Sequence, residues 1–556
     1  MRLRLLSTVT LILLSGMICF AKSGEPKVID KQLMEQHLKD YLSGNYKCLV
    51  KYVAVDAKEV IVQGDCTGYD GKLALAEVTP CEDITEMKVF NHIFPLKGKK
   101  FEIKLDRYAK YDGYTYDRLL SRWAVVRIDG NRHTLVSAGH YADEVEAISS
   151  PEALVPVNKK GVGAGLGAEY MNDLVELDAH NITVNWIINA FIASSPIFNK
   201  NIEYKYGGET YYIDGDQIAD WDNYLTFYEK HGIAVSAIVL IAPSATDDKL
   251  TAVFRHPEWN GGNYTMPNMT AMCNVNVYAA ILNYLAARYN GSGHGRVNHW
   301  IMHNEVDMDF EWTNMGEQPE LLVQDAYMKS MRLCYNIVRQ YDQNASILGS
   351  YTHNWMGTIG GHFRSKNLLD YNVLYSALEG DFWWGVAYHP YPQDLNKSDF
   401  WVDDTLATNN ANSIYCTFKN LEVVNDWILQ PQNRYKGGVK RNLFLSENGT
   451  NSPSYSMEDL AHQAAGGCWA WKKANALEGI DAIMWHNWMD NREEYNLRIG
   501  LHYYPDDENN PGGKKTVWHV WQAAGTPQED AFFDPYKAII GIDDWSEIFM
   551  PLEGDE

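Results

Sequence analysis

The sequence predicts a closed (β/α)8 barrel preceded by a small β-sandwich. Three observations carry this expectation. After residue 160, eight short apolar runs alternate with helix-like segments. Before residue 147, short runs of alternating polarity are separated by turn dipeptides. Between them lies a proline-marked break, Ser149-Ser150-Pro151 followed by Val155-Pro156-Val157.

The chain has 556 residues, more than one core organises, since domains run to roughly 100–250 residues. The stretch 26–147 reads as the sandwich, with strand-like runs at 51–62, 99–105 and 123–128 and turns at Asp112-Gly113 and Gly130-Asn131. The stretch 160–530 reads as the barrel. Its apolar runs fall at 161–166, 182–188, 234–241, 299–303, 347–351, 385–388, 443–445 and 483–485. Helical segments are expected at 221–231, 275–289, 320–341, 413–429, 460–477 and 517–522. Strands apolar on both faces belong to a parallel sheet covered by helices. The rival, an open doubly wound sheet, would want a phosphate loop after its first strand. Gly161-Val162-Gly163-Ala164-Gly165 is glycine-rich, but a close-packed strand explains it as well. The tail, 531–556, is expected to pack on the barrel or the sandwich.

Residues 1–21 have the form of an export signal. Arg2 and Arg4 precede an apolar run, and Ala21 offers a cleavage point. The expected residence is secreted or periplasmic, with a lipid anchor at Cys19 as the alternative. No later segment is apolar enough to span a bilayer. The formal charge of −24 repels phosphate backbones and excludes a nucleic-acid partner. A neutral partner fits better. The 18 Trp and 35 Tyr lean towards carbohydrate, because aromatic faces stack on sugar rings. Eight cysteines occur without a C-x-x-C pair, so no metal and no cofactor are expected, and one bridge among Cys48, Cys66 and Cys81 is left open. Oligomeric state has no signature in the sequence.

Active sites of such barrels lie where the strands end. The fourth run ends His303-Asn304-Glu305 and the fifth Tyr351-Thr352-His353-Asn354-Trp355. The sixth ends Tyr388-His389-Pro390-Tyr391, the seventh Ser446-Glu447-Asn448 and the eighth Trp485-His486-Asn487-Trp488. Each turns polar and aromatic at one rim. Strands four and seven face each other, so Glu305 and Glu447 can reach one point. Cleavage of a glycosidic bond needs such a pair, one carboxylic acid to protonate the leaving oxygen and one carboxylate to attack or to activate water.

On these residues the chain resembles clan A, the retaining (β/α)8-barrel glycoside hydrolases. Asn304-Glu305 is similar to their Asn-Glu pair closing strand four, and Glu447 to their strand-seven glutamate. His389, Tyr391 and Trp485 stand where members place side chains that contact the sugar or the nucleophile. The likeness runs from about residue 161 to 522 and includes Gly512-Gly513 before the last helix. It implies hydrolysis of β-glycosidic bonds in a neutral oligo- or polysaccharide by double displacement. Glu305 would be the acid/base and Glu447 the nucleophile. Asn304 would bind the sugar 2-hydroxyl, Tyr391 would steady Glu447, and Trp485 would floor the sugar site. Further substrate contacts are expected from His353, Asn487, Trp312, Trp355 and Trp488. The arginine that many members carry near the end of strand two is missing from Asn185-Trp186-Ile187, leaving Arg492 or Arg498 as replacements. Two alternatives stand beside this reading: a non-catalytic carbohydrate-binding barrel, and a metal-dependent hydrolase built on His303, His353, His389 and His486.

Overall fold

The computed structural model describes residues 30–358 and 362–553. The expected export segment, with Cys19, lies outside the described residues, as does 554–556 of the tail. Two four-stranded sheets form the N-terminal region. One has the order Glu144–Val145, Leu49–Val55, Glu59–Asp65, Lys100–Asp106; the other has His92–Pro95, Leu73–Val78, Arg122–Asp129, Arg132–Leu135. Val53, Val55, Val60 and Val62 of the first pack against Leu75, Trp123 and Val125 of the second in one buried cluster, which is a sandwich core.

The expectation of strands alone in this region needs correcting. Lys31–Leu42 is a helix, missed because only Leu38 and Tyr41 of its polar sequence are buried. Its Tyr41 covers the outer face of the second sheet, against Ala74, Ala76, Val78, Ala124 and Val126. Small alanines let it approach, and Leu73–Val78 is buried at every position instead of alternating.

The barrel is closed and parallel. Its strands are Lys160–Gly163, Asn181–Ile187, Ala234–Leu240, His299–Met302, Ser346–Thr352, Trp384–His389, Leu443–Asn448 and Ala482–Trp485, the last pairing with the first. Ile238, Leu240, Ile301, Leu348, Ala387, Phe444, Ala482 and Met484 fill its interior. Alternate residues, such as Val239, Met302, Val386, Leu445 and Ile483, join the larger core beneath the helices. Burial on both faces is what made the strands read as unbroken apolar runs.

Beyond the segments expected, helices Ala168–Glu176 and Ser365–Glu379 follow strands one and five. A three-stranded insertion, Ile192–Ala193, Asn201–Tyr206 and Glu209–Asp214, precedes the helix Gly215–Lys230. Its turn is Gly207-Gly208, with φ of 63° and 91°, the left-handed pair that a two-residue hairpin turn needs. The C-terminal segment packs on the barrel through Phe533, Ile540, Trp545 and Ile548, and Trp471 Nε1 donates to Glu529 Oε2 at 2.7 Å.

Candidate active site

Glu305 is brought into the barrel mouth by an irregular exit from the fourth strand. His303 and Glu305 both have positive φ, 59° and 39°, a conformation costly for residues with a Cβ and concentrated at functional sites. The surroundings hold it. Glu305 N donates to Ser350 Oγ at 3.0 Å, and His303 Nε2 lies 2.9 Å from Ser330 Oγ. Asp307 accepts the Thr352 N–H at 2.9 Å and the Thr352 hydroxyl.

Glu447 arrives differently. Strict alternation would turn it outward with Leu443 and Leu445. A register shift between Leu445 and Asn448 re-aims it, as bulges do. Asn448 secures the bend by donating Nδ2 to Leu445 O at 2.8 Å and Met484 O at 2.9 Å.

The two glutamates meet His389 at the mouth. Donor atoms of Glu305, His389 and Glu447 all lie within 4.8 Å of one another. His389 Nδ1 is 2.8 Å from Glu305 Oε1, and Tyr391 OH donates to Glu447 Oε1 at 3.2 Å. His486 Nε2 is 4.0 Å from Glu447 Oε1 and 3.3 Å from Glu494 Oε2. Asn487 Nδ2 also donates to Glu494 Oε2.

The environments of these groups differ. Burial, helped by Glu311 and opposed by His486, pushes the Glu305 carboxyl up to about 8. Burial also holds His389 down at about 4 despite Glu447, so that ring is neutral near pH 7. His486 goes the other way: burial opposes its charge, but Glu447, Glu494 and Glu305 raise it above the ordinary value. The site therefore pairs a protonated carboxyl and a neutral imidazole with a second ring, His486, whose proton affinity is raised.

The other expected contacts divide. Asn304 is buried, its Oδ1 having no partner among the described residues. His353 is half-buried near His389, its Nδ1 buried and without a partner among the described residues, with Tyr415 5.1 Å away. Trp312 is half-buried and stacks at 6.2 Å on Tyr264, whose hydroxyl feels Glu447 and Glu494; together they form an aromatic wall. Trp488 is half-buried and donates Nε1 to Asp173 Oδ2 at 2.7 Å.

Two expectations are overturned. Trp485 cannot floor a sugar site: it is 0% exposed and packs on Trp521, with Nε1 donating to Ile499 O at 2.8 Å. Period-two alternation explains this, because Ala482 and Met484 face the barrel interior and so Trp485 faces the helices. Trp355 likewise is buried between Tyr388 and Trp427, with Nε1 bonded to Ala411 O at 2.9 Å. Neither arginine replaces the missing one. Arg492 pairs with Asp506, and Arg498 donates to Pro453 O. His486 stands nearest Glu447 instead; the sequence placed it at the rim only as a candidate metal ligand and missed Glu494, whose proximity depends on the fold of the eighth loop.

Glu305, His389 and Glu447 are, among the described residues, the one set whose donor atoms could converge on a cation. Metal ligands must be deprotonated. In the metal-free protein Glu305 keeps its proton up to about pH 8, so a cation would have to displace that proton.

Residues 153–548 match the family described as "Family of unknown function (DUF5722)". No curated protein matches the chain. Among solved structures, the chain is similar to a family 39 glycoside hydrolase from the gut symbiont Bacteroides cellulosilyticus WH2, at 13% identity over 87% of this chain and 83% of that one, with a TM-score of 0.43. It is also similar to a family 1 β-glucosidase from Thermotoga maritima, at 11% identity over 64% and 85%, TM-score 0.41. An exo-β-1,4-mannosidase from Opitutaceae bacterium strain TAV5 matches at 11% identity over 71% and 63%, TM-score 0.40.

Proposed function

We propose that this chain, which belongs to the family of unknown function DUF5722, is a retaining glycoside hydrolase acting on β-linkages of a neutral oligo- or polysaccharide. The observation that carries the reading is the convergence of Glu305 and Glu447 within 4.8 Å in unlike surroundings. Retaining enzymes hold their carboxyls about 5–5.5 Å apart, whereas inverting ones leave roughly 6.5–9.5 Å for a water.

Glu305, protonated near neutral pH, gives its proton to the departing glycosidic oxygen. Glu447 attacks the anomeric carbon and forms a glycosyl-enzyme, held on line by the Tyr391 hydroxyl with His486 beside it. Glu305, now a carboxylate, takes a proton from the incoming water, whose oxygen displaces Glu447. Two inversions leave the original configuration. Asn304 and His353 supply buried polar atoms for sugar hydroxyls, and Trp312 with Tyr264 supplies an aromatic face. The formal charge of −24 disfavours uronates and sulfated sugars and supports a neutral substrate.

The test is to incubate wild type and Glu447→Gln with aryl β-glycosides and neutral polysaccharides, following the products by NMR. Wild-type product that first appears in the substrate's own configuration, and is absent from the variant, supports the reading. An inverted first product removes the two-step mechanism. Sugar binding by both proteins without turnover supports the carbohydrate-binding barrel instead.

A further inference from the structure

We propose that Cys48 and Cys66 are a disulfide site joining the first two strands of the sandwich. The backbone carries the argument. Leu49 and Asp65 are direct partners in the antiparallel pair Leu49–Val55 and Glu59–Asp65, so one step outward Cys48 faces Cys66. Each N–H points away from the other strand: Cys48 donates to Val136 O at 3.4 Å and Cys66 to Lys99 O at 2.6 Å. The two therefore occupy a non-hydrogen-bonded position, where Cα atoms sit about 4.5 Å apart and side chains are closest. A disulfide spans Cα distances of roughly 4.4–6.8 Å.

The side chains agree with the backbone. Both are 0% exposed and share the sandwich core with Val50, Val62 and Trp123. The two thiols are close enough for each to shift the other's proton affinity. Cys81, the third cysteine of the region, is turned to Thr79 Oγ1 at 3.3 Å. The structure holds all three as thiols. Closing the bond takes two electrons and two protons from Cys48 and Cys66. The acceptor is an organic disulfide, such as oxidised glutathione, which is reduced to two thiols while one Sγ–Sγ bond forms. Burial raises both thiols above their ordinary range and so suppresses thiolate. Exchange therefore belongs to the period before the two sheets close over the pair.

The experiment uses the full chain, reduced and unfolded, then refolded in a glutathione redox buffer. It is denatured with an alkylating reagent and digested without reductant for mass spectrometry. The same digest on folded protein taken from a bacterial periplasm answers the question without a refolding step. The expected result is one cross-linked species containing Cys48 and Cys66, lighter by two hydrogens than the separate thiol peptides, with Cys273, Cys334, Cys416 and Cys468 alkylated. In Cys48→Ser, Cys66 should become alkylated or carry glutathione. Alkylated Cys48 and Cys66 in both wild-type preparations, or a bridge from either to Cys81, would overturn the proposal.

Discussion

His486 Nε2 stands between two carboxylates, 3.3 Å from Glu494 and 4.0 Å from Glu447. The ring is only 13% exposed, which alone would favour the neutral form, yet Glu447, Glu494 and Glu305 raise its proton affinity. Glu494 answers in kind: burial pushes its carboxyl up, but His486 and Asn487 bring it below the ordinary value. In the proposed mechanism, a proton on His486 is what would supply positive potential to the attacking carboxylate without an arginine.

Replacing the ring tests that role. In His486→Phe, a preorganised charge is lost where Glu447 must attack, and kcat is expected to fall roughly 10²- to 10³-fold. Glu494→Gln keeps the histidine but removes the carboxylate holding it, so a smaller fall in kcat is expected. Steady-state kinetics on an aryl β-glycoside separates kcat from KM. Unchanged kcat in His486→Phe would remove His486 from the mechanism.

The proton on Glu305 sets the alkaline side of the pH profile. Its carboxyl titrates at about 8, and the acid step needs the protonated form, so kcat/KM is expected to fall as pH rises through about 8. Glu305→Gln cannot donate, and a loss of about 10²–10⁴ in kcat follows for substrates with poor leaving groups. Activated aryl glycosides, which need less protonation, should lose less in the glycosylation step. A wild-type profile flat to pH 10 would contradict the assignment.

The same group ties stability to pH. Its folded value, about 8, lies above the ordinary 4.5, so the fold binds this proton more tightly than the unfolded chain does. That contribution is complete below about pH 4.5 and is lost as pH rises through 8. Asp307, at about 7, and Asp309, at about 6, share its sign, both mainly through burial. Glu305→Gln should therefore gain stability relative to wild type between pH 5 and 8, by on the order of a few kcal/mol at the upper end. Thermal melts across that range check it. Parallel curves for the two proteins would show that Glu305 is not buried as a neutral acid.

Much of this was legible in the sequence, and for a physical reason. Parallel strands buried on both faces leave unbroken apolar runs, and all eight barrel strands fell on such runs. Residues at strand ends are placed by the fold itself, so Glu305, His389, Tyr391 and Glu447 converge as their positions implied. The Lys31–Leu42 helix left little pattern, because only two of its side chains are buried. His486 and Glu494 meet through an irregular loop that has no period. The hairpin at Gly207-Gly208 did carry a signal, a diglycine between alternating runs, which the reading passed over.

Trp485 shows the opposite error, a residue assigned by its place near the rim without asking which face it takes. Ala482 and Met484 point inward, and alternation sends Trp485 to the helices. Trp485→Phe should accordingly lower the melting temperature, through lost packing on Trp521 and the lost Nε1 bond to Ile499 O, while leaving KM within about twofold. A raised KM with an unchanged melt would restore the platform role.

The attachment of the sandwich to the barrel makes a separate prediction. Glu379, at the end of the helix Ser365–Glu379, pairs with Arg122 of the sandwich strand Arg122–Asp129 and accepts the Tyr41 hydroxyl at 2.6 Å. The two charged side chains are only 5% and 3% exposed. Removing one partner strands a buried guanidinium, so Glu379→Ala should cost about 3–5 kcal/mol. Replacing both charges, in Arg122→Met with Glu379→Leu, removes the desolvation cost together with the attraction and should recover most of that loss. Thermal melts of Glu379→Ala and the double variant decide it. If the double variant melts as low as Glu379→Ala, the stability lies in the other bonds of Glu379, such as the one to Tyr41, and not in the charge pair.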